Sequence, residues 1–267
     1  MTTYHWSFLE DVTAYRAAGI EGIGVWRRKL QDFGEERGAD LLRESGMRVS
    51  SLSFAGGFTG AHGHSFRDAV RDGLDALRLA IDIQAECLVV VSGTRAGHTL
   101  NHARELFCDA LLHLGDEAAR HGIQIAIHPM QQMSGQRWTF LTSLDATLDV
   151  LGRCRHPQVG MVFDVYHMWR EPDLCRRIPE IIQWIKTVGM SDWRQPHPHL
   201  ENDRCLPGAG CIPLAEILGA LYSAGYNGYY DMQILSDEHW NSDYGCLLQN
   251  CQNAFRSICA AALDQKT

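Results

Sequence analysis

The chain has no apolar run long enough to cross a bilayer as a helix. It is also short of positive charge. Against 32 Asp and Glu stand 24 Lys and Arg, and the net charge of −8 is the wrong sign for a partner built on a phosphate backbone. Its nine cysteines include no C-x-x-C pair, so zinc-ribbon and thioredoxin-like readings fall away. The opening, MTTYHWSFLEDVTAY, lacks the basic-then-apolar order of a signal peptide, and the expected compartment is the cytoplasm. There an odd number of cysteines is expected as free thiols, with Cys87, Cys108 and Cys154 packing as small hydrophobes in apolar surroundings. No Pro/Gly/Ser-rich linker, shift of composition or close repeat divides the chain, so residues 1–267 read as a single domain.

What is present is ordinary for a folded protein: 45% hydrophobic and 21% charged residues, enough to fill a core. The thirteen histidines are many, and some come in pairs, His62 with His64 and His197 with His199. Short apolar runs alternate with longer segments of helical spacing. The runs at 4–8, 22–26, 48–54, 87–92, 123–128, 160–164, 187–192 and 228–234 are predicted strands. They are continuously apolar, as strands of a parallel sheet covered by helices must be. Between them, 65–83 places Ala69, Leu74, Leu77, Ala80 and Ile81 along one stripe, and 99–122 ends on Gly122. The segment 212–228 carries Pro213 at its start and Gly225 near its end, and the last helix covers 244–263. Eight strand–helix units predict an α/β fold of the (β/α)8 TIM-barrel class.

A barrel gathers its functional groups where the strands end. Those ends carry Trp26, the run FAGG at 54–57, Ser92, His128, Asp164, Asp192, Trp193 and Gln233. In GIQIAIHPM an apolar strand stops on His128, either a histidine satisfied by hydrogen bonds or an active-site residue. In VFDVYHMW, Asp164 ends a strand and His167 follows on the turn. A carboxylate and an imidazole offered to one small volume can bind a metal or move a proton; alternatively Asp164 caps the next helix.

Several stretches resemble the xylose-isomerase-like barrels: GIGVWRRKL, HGIQIAIHPM, VGMVFDVYHMWREPDL, VGMSDWRQP and NDRCLPGAGCIPLAEILGALYSAGYNGYYDMQILSDEHW. That superfamily holds sugar and sugar-phosphate isomerases and epimerases, inosose and dehydroshikimate dehydratases and C-glycoside deglycosidase subunits, with apurinic endonucleases more distant. The resemblance implies one divalent metal held by a Glu, an Asp, a His and a Glu at successive strand ends, the two Glu serving as acid and base. Only Asp164 keeps its identity here. His128 stands at the first Glu position, Gly189 at the His position and Gln233 at the second Glu position. His167 matches a substrate-contacting His, and Arg204 matches an Arg that contacts substrate oxygens or a phosphate.

Three readings follow. In the first, an enzyme has kept the barrel and changed its catalytic apparatus. His128, Asp164 and His167 do the acid–base work without a metal, because imidazole titrates near neutral pH. The reaction is proton transfer next to a carbonyl (isomerisation, epimerisation or β-elimination) on a sugar-like or hydroxylated cyclic molecule. Arg204, Gln233, Asp192, Trp26 and Trp193 contact that substrate, and His62 sits on a glycine-rich loop able to close as a lid. In the second, one divalent ion (Mn, Mg or Zn) is held by His128, Asp164 and Gln233, or zinc by His128, Asp164 and His167. In the third, the barrel binds a ligand without catalysis or supports a partner subunit. The expected partner is a small molecule, with no nucleic acid or membrane, and the resemblance implies a homo-oligomer.

Overall fold

The computed structural model describes residues 1–60, 63–135, 137–195 and 203–264. Nine strands appear among them: β1 Gly22–Trp26, β2 Arg48–Gly56, β3 Cys87–Val91, β4 Gln124–Ile127, β5 Val159–Asp164, β6 Ile185–Met190, β7 Asp192–Trp193, β8 Arg204–Cys205 and β9 Tyr230–Met232. Seven pair in parallel in the order β1-β2-β3-β4-β5-β6-β9, giving a sheet curled into a nearly closed barrel with helices outside. Each passage between neighbouring strands of this sheet carries a helix because parallel neighbours require a crossover. No described helix is long and apolar enough to cross a membrane.

The predicted strand at 4–8 does not form. Residues 2–5 turn, and a helix begins at Phe8, running to Ala17. The reason is local: Ser7 accepts from the Glu10 backbone N–H, and the Glu10 carboxylate accepts from the Ser7 N–H in return. This reciprocal cap is written in the sequence as S-F-L-E. The seam between β1 and β9 therefore lacks an eighth strand. Thr2 partly covers the β9 edge, its hydroxyl donating to Met232 O at 2.6 Å and accepting from Ile234 N–H at 3.1 Å. Lys29 anchors this segment through Thr3 O and Asp11, both at 2.7 Å.

The other elements form close to where the spacing places them. Ser65 and Thr99 cap helices Phe66–Asp82 and Leu100–His121, and Gly122 takes the left-handed φ of +72° that ends the second. The predicted strand at 187–192 divides: β6 stops at Met190, and Asp192 opens an antiparallel pair, β7 with β8. Trp193 pairs with Arg204, so this small hairpin carries Arg204 to the barrel mouth. Cys87, Val89, Ala126 and Val162 form a small apolar cluster, with Phe54 packed against it. The main core lies between strands and helices. All nine cysteines are free.

Candidate functional site

The ends of β4 and β5, the turn after β5 and the hairpin strand β8 converge. His128 follows β4, with its backbone N–H on Val90 O; Asp164 ends β5; His167 lies on the single turn Val165–Met168. Asp164 is fully buried and does two jobs. Its Oδ1 accepts from the Tyr166 N–H at 3.0 Å, the helix cap. Its Oδ2 faces His128 Nε2 at 3.2 Å and accepts from Arg204 at 2.9 Å. Arg204, 5% exposed, also meets Ser191 Oγ at 3.4 Å and donates to His167 Nε2 at 3.1 Å. Its guanidinium lies 4.4 Å from the centre of the Tyr166 ring, which supports it from one face.

These contacts fix the charges. Burial alone would push the Asp164 carboxyl up, but the Arg204 guanidinium and the His128 hydrogen bond reverse this and hold it well below the usual carboxylate range. Burial pushes His167 well below the ordinary histidine range, and the Arg204 charge adds to that. Neutral His167 accepts from Arg204 on Nε2, so its Nδ1 carries the proton, and that buried atom finds no partner.

Above them opens a cavity of about 1040 Å³, lined by Trp26, Phe54, His128, His167, Arg204 and Gln233 among others. Asp164 is fully buried behind these side chains, in contact with His128 and Arg204, which line the cavity. Gly189 explains the close assembly. A Cβ there would stand 3.1 Å from Asp164 Cγ and 3.3 Å from the Gln233 amide, so a histidine at this position would displace both.

Two of the expected substrate contacts, Asp192 and Trp193, lie off the cavity wall. Asp192 is 1% exposed, and its carboxylate accepts from the backbone N–H groups of Trp193, Gly208, Gly210 and Ile212, at 2.8 to 3.0 Å. It ties the 206–212 loop to β7 instead of facing a ligand. Trp193 is 2% exposed and packs on Tyr166 and Arg170, away from the cavity wall. Trp26 does line the cavity and joins Tyr4, with ring centres 5.6 Å apart. His62 lies outside the described residues. Replacing Asp192 with alanine leaves the buried N–H donors of Trp193 and Ile212 unmet; a loss of about 1–3 kcal/mol is expected, read by urea unfolding.

Tyr166 and Ser191 support Arg204, and Asp231 lines the cavity as a carboxylate, three roles that the strand ends alone do not reveal. Asp231 stands two residues before Gln233, and strand periodicity alone would have placed both on one face.

Comparison with known proteins fits this architecture. A family model described as "Xylose isomerase-like TIM barrel" matches residues 12–249. The chain belongs to that family. A 3-dehydroshikimate dehydratase of Pseudomonas putida is 24% identical over 245 residues, covering 85% of this chain and 36% of the relative. The chain thus spans about a third of the length of the curated relative it matches. Protein SMc04130 of Sinorhizobium meliloti 1021 superposes with a TM-score of 0.91 at 26% identity, covering 97% of this chain and 96% of the other. The IOLI protein, solved with a binding zinc atom, gives a TM-score of 0.83 at 16% identity, covering 96% and 95%.

The zinc in that relative raises the question of a metal here. His128, Asp164 and His167 each offer a donor atom, all within 4.8 Å of one another. The set does not suit a divalent ion as it stands. Arg204 already sits on the Asp164 oxygen that would bind it and on the lone pair of His167 Nε2. A divalent ion on the same atoms would face a guanidinium at close range, and among the described residues no second carboxylate joins the group to offset that repulsion.

Proposed function

We propose that this barrel is an enzyme that moves a proton next to a carbonyl on a sugar-like or hydroxylated cyclic small molecule, with Arg204 as its resident cation in place of a divalent metal. The observation that carries this reading is the contact of His128 Nε2 and Arg204 with one buried carboxylate, beneath a cavity that both side chains line. A buried carboxylate beside an imidazole N–H fixes the tautomer and supports the imidazolium that forms when the ring takes a proton. With Nε2–H on Asp164, Nδ1 of His128 is the basic atom.

The chemistry then runs through this chain's own groups. His128 removes the proton from the carbon next to the carbonyl, and the electron pair moves onto the carbonyl oxygen. A guanidinium has five N–H donors, and the contacts to Asp164, Ser191 and His167 leave others for that oxygen. Returning the proton to the other face of the same carbon completes an epimerisation; returning it to the former carbonyl carbon, while the neighbouring hydroxyl passes its proton to the enolate oxygen and becomes the new carbonyl, completes an isomerisation. Giving it to a departing hydroxyl on the next carbon releases water and completes a β-elimination. Gln233 offers its amide to a substrate hydroxyl, and Trp26 offers an apolar ring face at the rim.

The dehydratase similarity makes 3-dehydroshikimate the first compound to test, with simple ketose sugars beside it. In deuterated water, proton NMR should show loss of the signal from the carbon next to the ketone, with or without product. No exchange and no product with 3-dehydroshikimate or a panel of ketoses would contradict the proposal. The second reading, a metal-dependent lyase or isomerase, draws on the closeness of the three donor atoms. Under it, the exchange would vanish on chelation and return with zinc or manganese.

A further inference from the structure

The cavity does not end at the His128–Arg204 group. Two residues before Gln233, Asp231 lies on the cavity wall with Ser51 and Thr187, opposite Gly22 and Gly24 of β1. Ser50 Oγ donates to Asp231 Oδ1 at 2.7 Å, Thr187 Oγ1 to Oδ2 at 3.2 Å, and Ser51 Oγ stands 3.5 Å from Oδ2. Among the described residues no basic side chain is ion-paired with it. Burial pushes its carboxyl up, and the hydroxyl hydrogen bonds only partly offset this. A carboxylate held this way is a standing cost to the fold, since a buried charge with no cation in contact is expensive and the Met1 ammonium offsets it only from a distance.

The acceptor count leaves room for a ligand. A carboxylate has about four lone-pair sites. Oδ1 uses one on Ser50, and Oδ2 has one good partner and one at the limit of hydrogen bonding. The space in front is open because β1 has glycine there. A Cβ on Gly24 would stand 3.6 Å from Asp231 Oδ1, so a larger side chain would cover the carboxylate.

We propose that Asp231, with Ser51 and Thr187, forms a second polar subsite that binds hydroxyl groups of a polyhydroxylated ligand at the seam between β1 and β9. The two oxygens accept from hydroxyls on neighbouring carbons while the carbonyl end of the same molecule meets Arg204 and His128. This rests on the proposed function for the orientation of the ligand, but not for the subsite itself. It assigns Asp231 to the choice of substrate and not to proton transfer. The missing eighth strand becomes part of the site, because the seam it leaves is where the carboxylate looks onto the cavity.

The test uses the whole chain and an unreactive probe, myo-inositol, which carries hydroxyls but no carbonyl. Binding is followed by titration calorimetry or ligand-observed NMR, with cyclohexanol as the control without neighbouring hydroxyls. Wild type is expected to bind myo-inositol and not cyclohexanol. Asp231→Asn keeps the shape, and its hydroxyl neighbours can turn to suit it. It should melt no lower than wild type and bind myo-inositol about 10-fold or more weakly, the loss of a hydrogen bond to a charged group. Gly24→Val, which covers the carboxylate without changing it, should weaken binding likewise. If wild type shows no proton exchange on any ketone yet myo-inositol binding depends on Asp231, the proposed reaction fails and the subsite stands. Absence of binding by wild type, or equal affinity in Asp231→Asn, overturns the subsite. A variant that melts lower and binds normally marks a structural anchor and overturns it as well.

Discussion

His128→Ala is expected to lower turnover about 10²–10⁴-fold, the usual contribution of one positioned proton-transfer group. His128 borders the cavity, and its Nε2 is oriented by a carboxylate that no solvent reaches. His167 is held neutral by burial and by Arg204, so it cannot substitute. His128→Gln separates shape from chemistry. The amide can still donate to Asp164, so the fold and substrate affinity should remain while turnover stays low. A fall in kcat with little change in KM is the expected pattern, because the lost group acts mainly in the transition state. Wild-type turnover in His128→Ala would refute the assignment.

Arg204→Ala is expected to cost the fold about 3–5 kcal/mol, because it leaves the Asp164 carboxylate buried beside an imidazole and one backbone N–H without its main cation. Total stabilities of domains lie at about 5–15 kcal/mol, so urea unfolding should show a large shift of the midpoint. The pH dependence carries a sign. The folded Asp164 carboxyl lies below its unfolded value, so the stability due to the pair is present above the ordinary carboxylate range. It is lost as the pH falls through the folded value, in strong acid. In Arg204→Ala burial is no longer outweighed, the carboxyl rises, and that acid-side profile flattens. Combining Asp164→Asn with Arg204→Met removes both charges and should recover much of the stability but none of the turnover. Single and double variants of equal stability would contradict the pairing.

Much of this was legible because barrel strands write themselves as apolar runs and end on their working residues. His128, Asp164 and Gln233 were placed at one rim by nothing more than the ends of three such runs, and the structure brings all three there. The strand at 4–8 failed because an apolar run also suits a chain entering a helix; the cap Ser7–Glu10 was the stronger local signal. Asp192 and Trp193 lie off the cavity wall for another reason. A polar residue at a strand end can turn inward to backbone N–H groups, and sequence order does not tell a loop's anchor from a ligand's contact. The position of Arg204 on Asp164 depends on a hairpin between residues 192–193 and 204–205 that spacing does not reveal. For the same reason a His–Asp–His set that reads as a metal site from its residue types carries a guanidinium on its central oxygen.

The central claim is that Arg204 stands where a divalent ion would otherwise sit. The most direct test is calorimetric titration of chelator-stripped protein with zinc and with manganese, run on wild type, Asp164→Asn and Arg204→Ala. The account predicts no tight, one-equivalent binding that differs between wild type and Asp164→Asn. It predicts that Arg204→Ala gains a zinc site, since removal of the guanidinium frees the Asp164 oxygen and the His167 lone pair. One tightly bound equivalent in wild type, lost in Asp164→Asn, would contradict it.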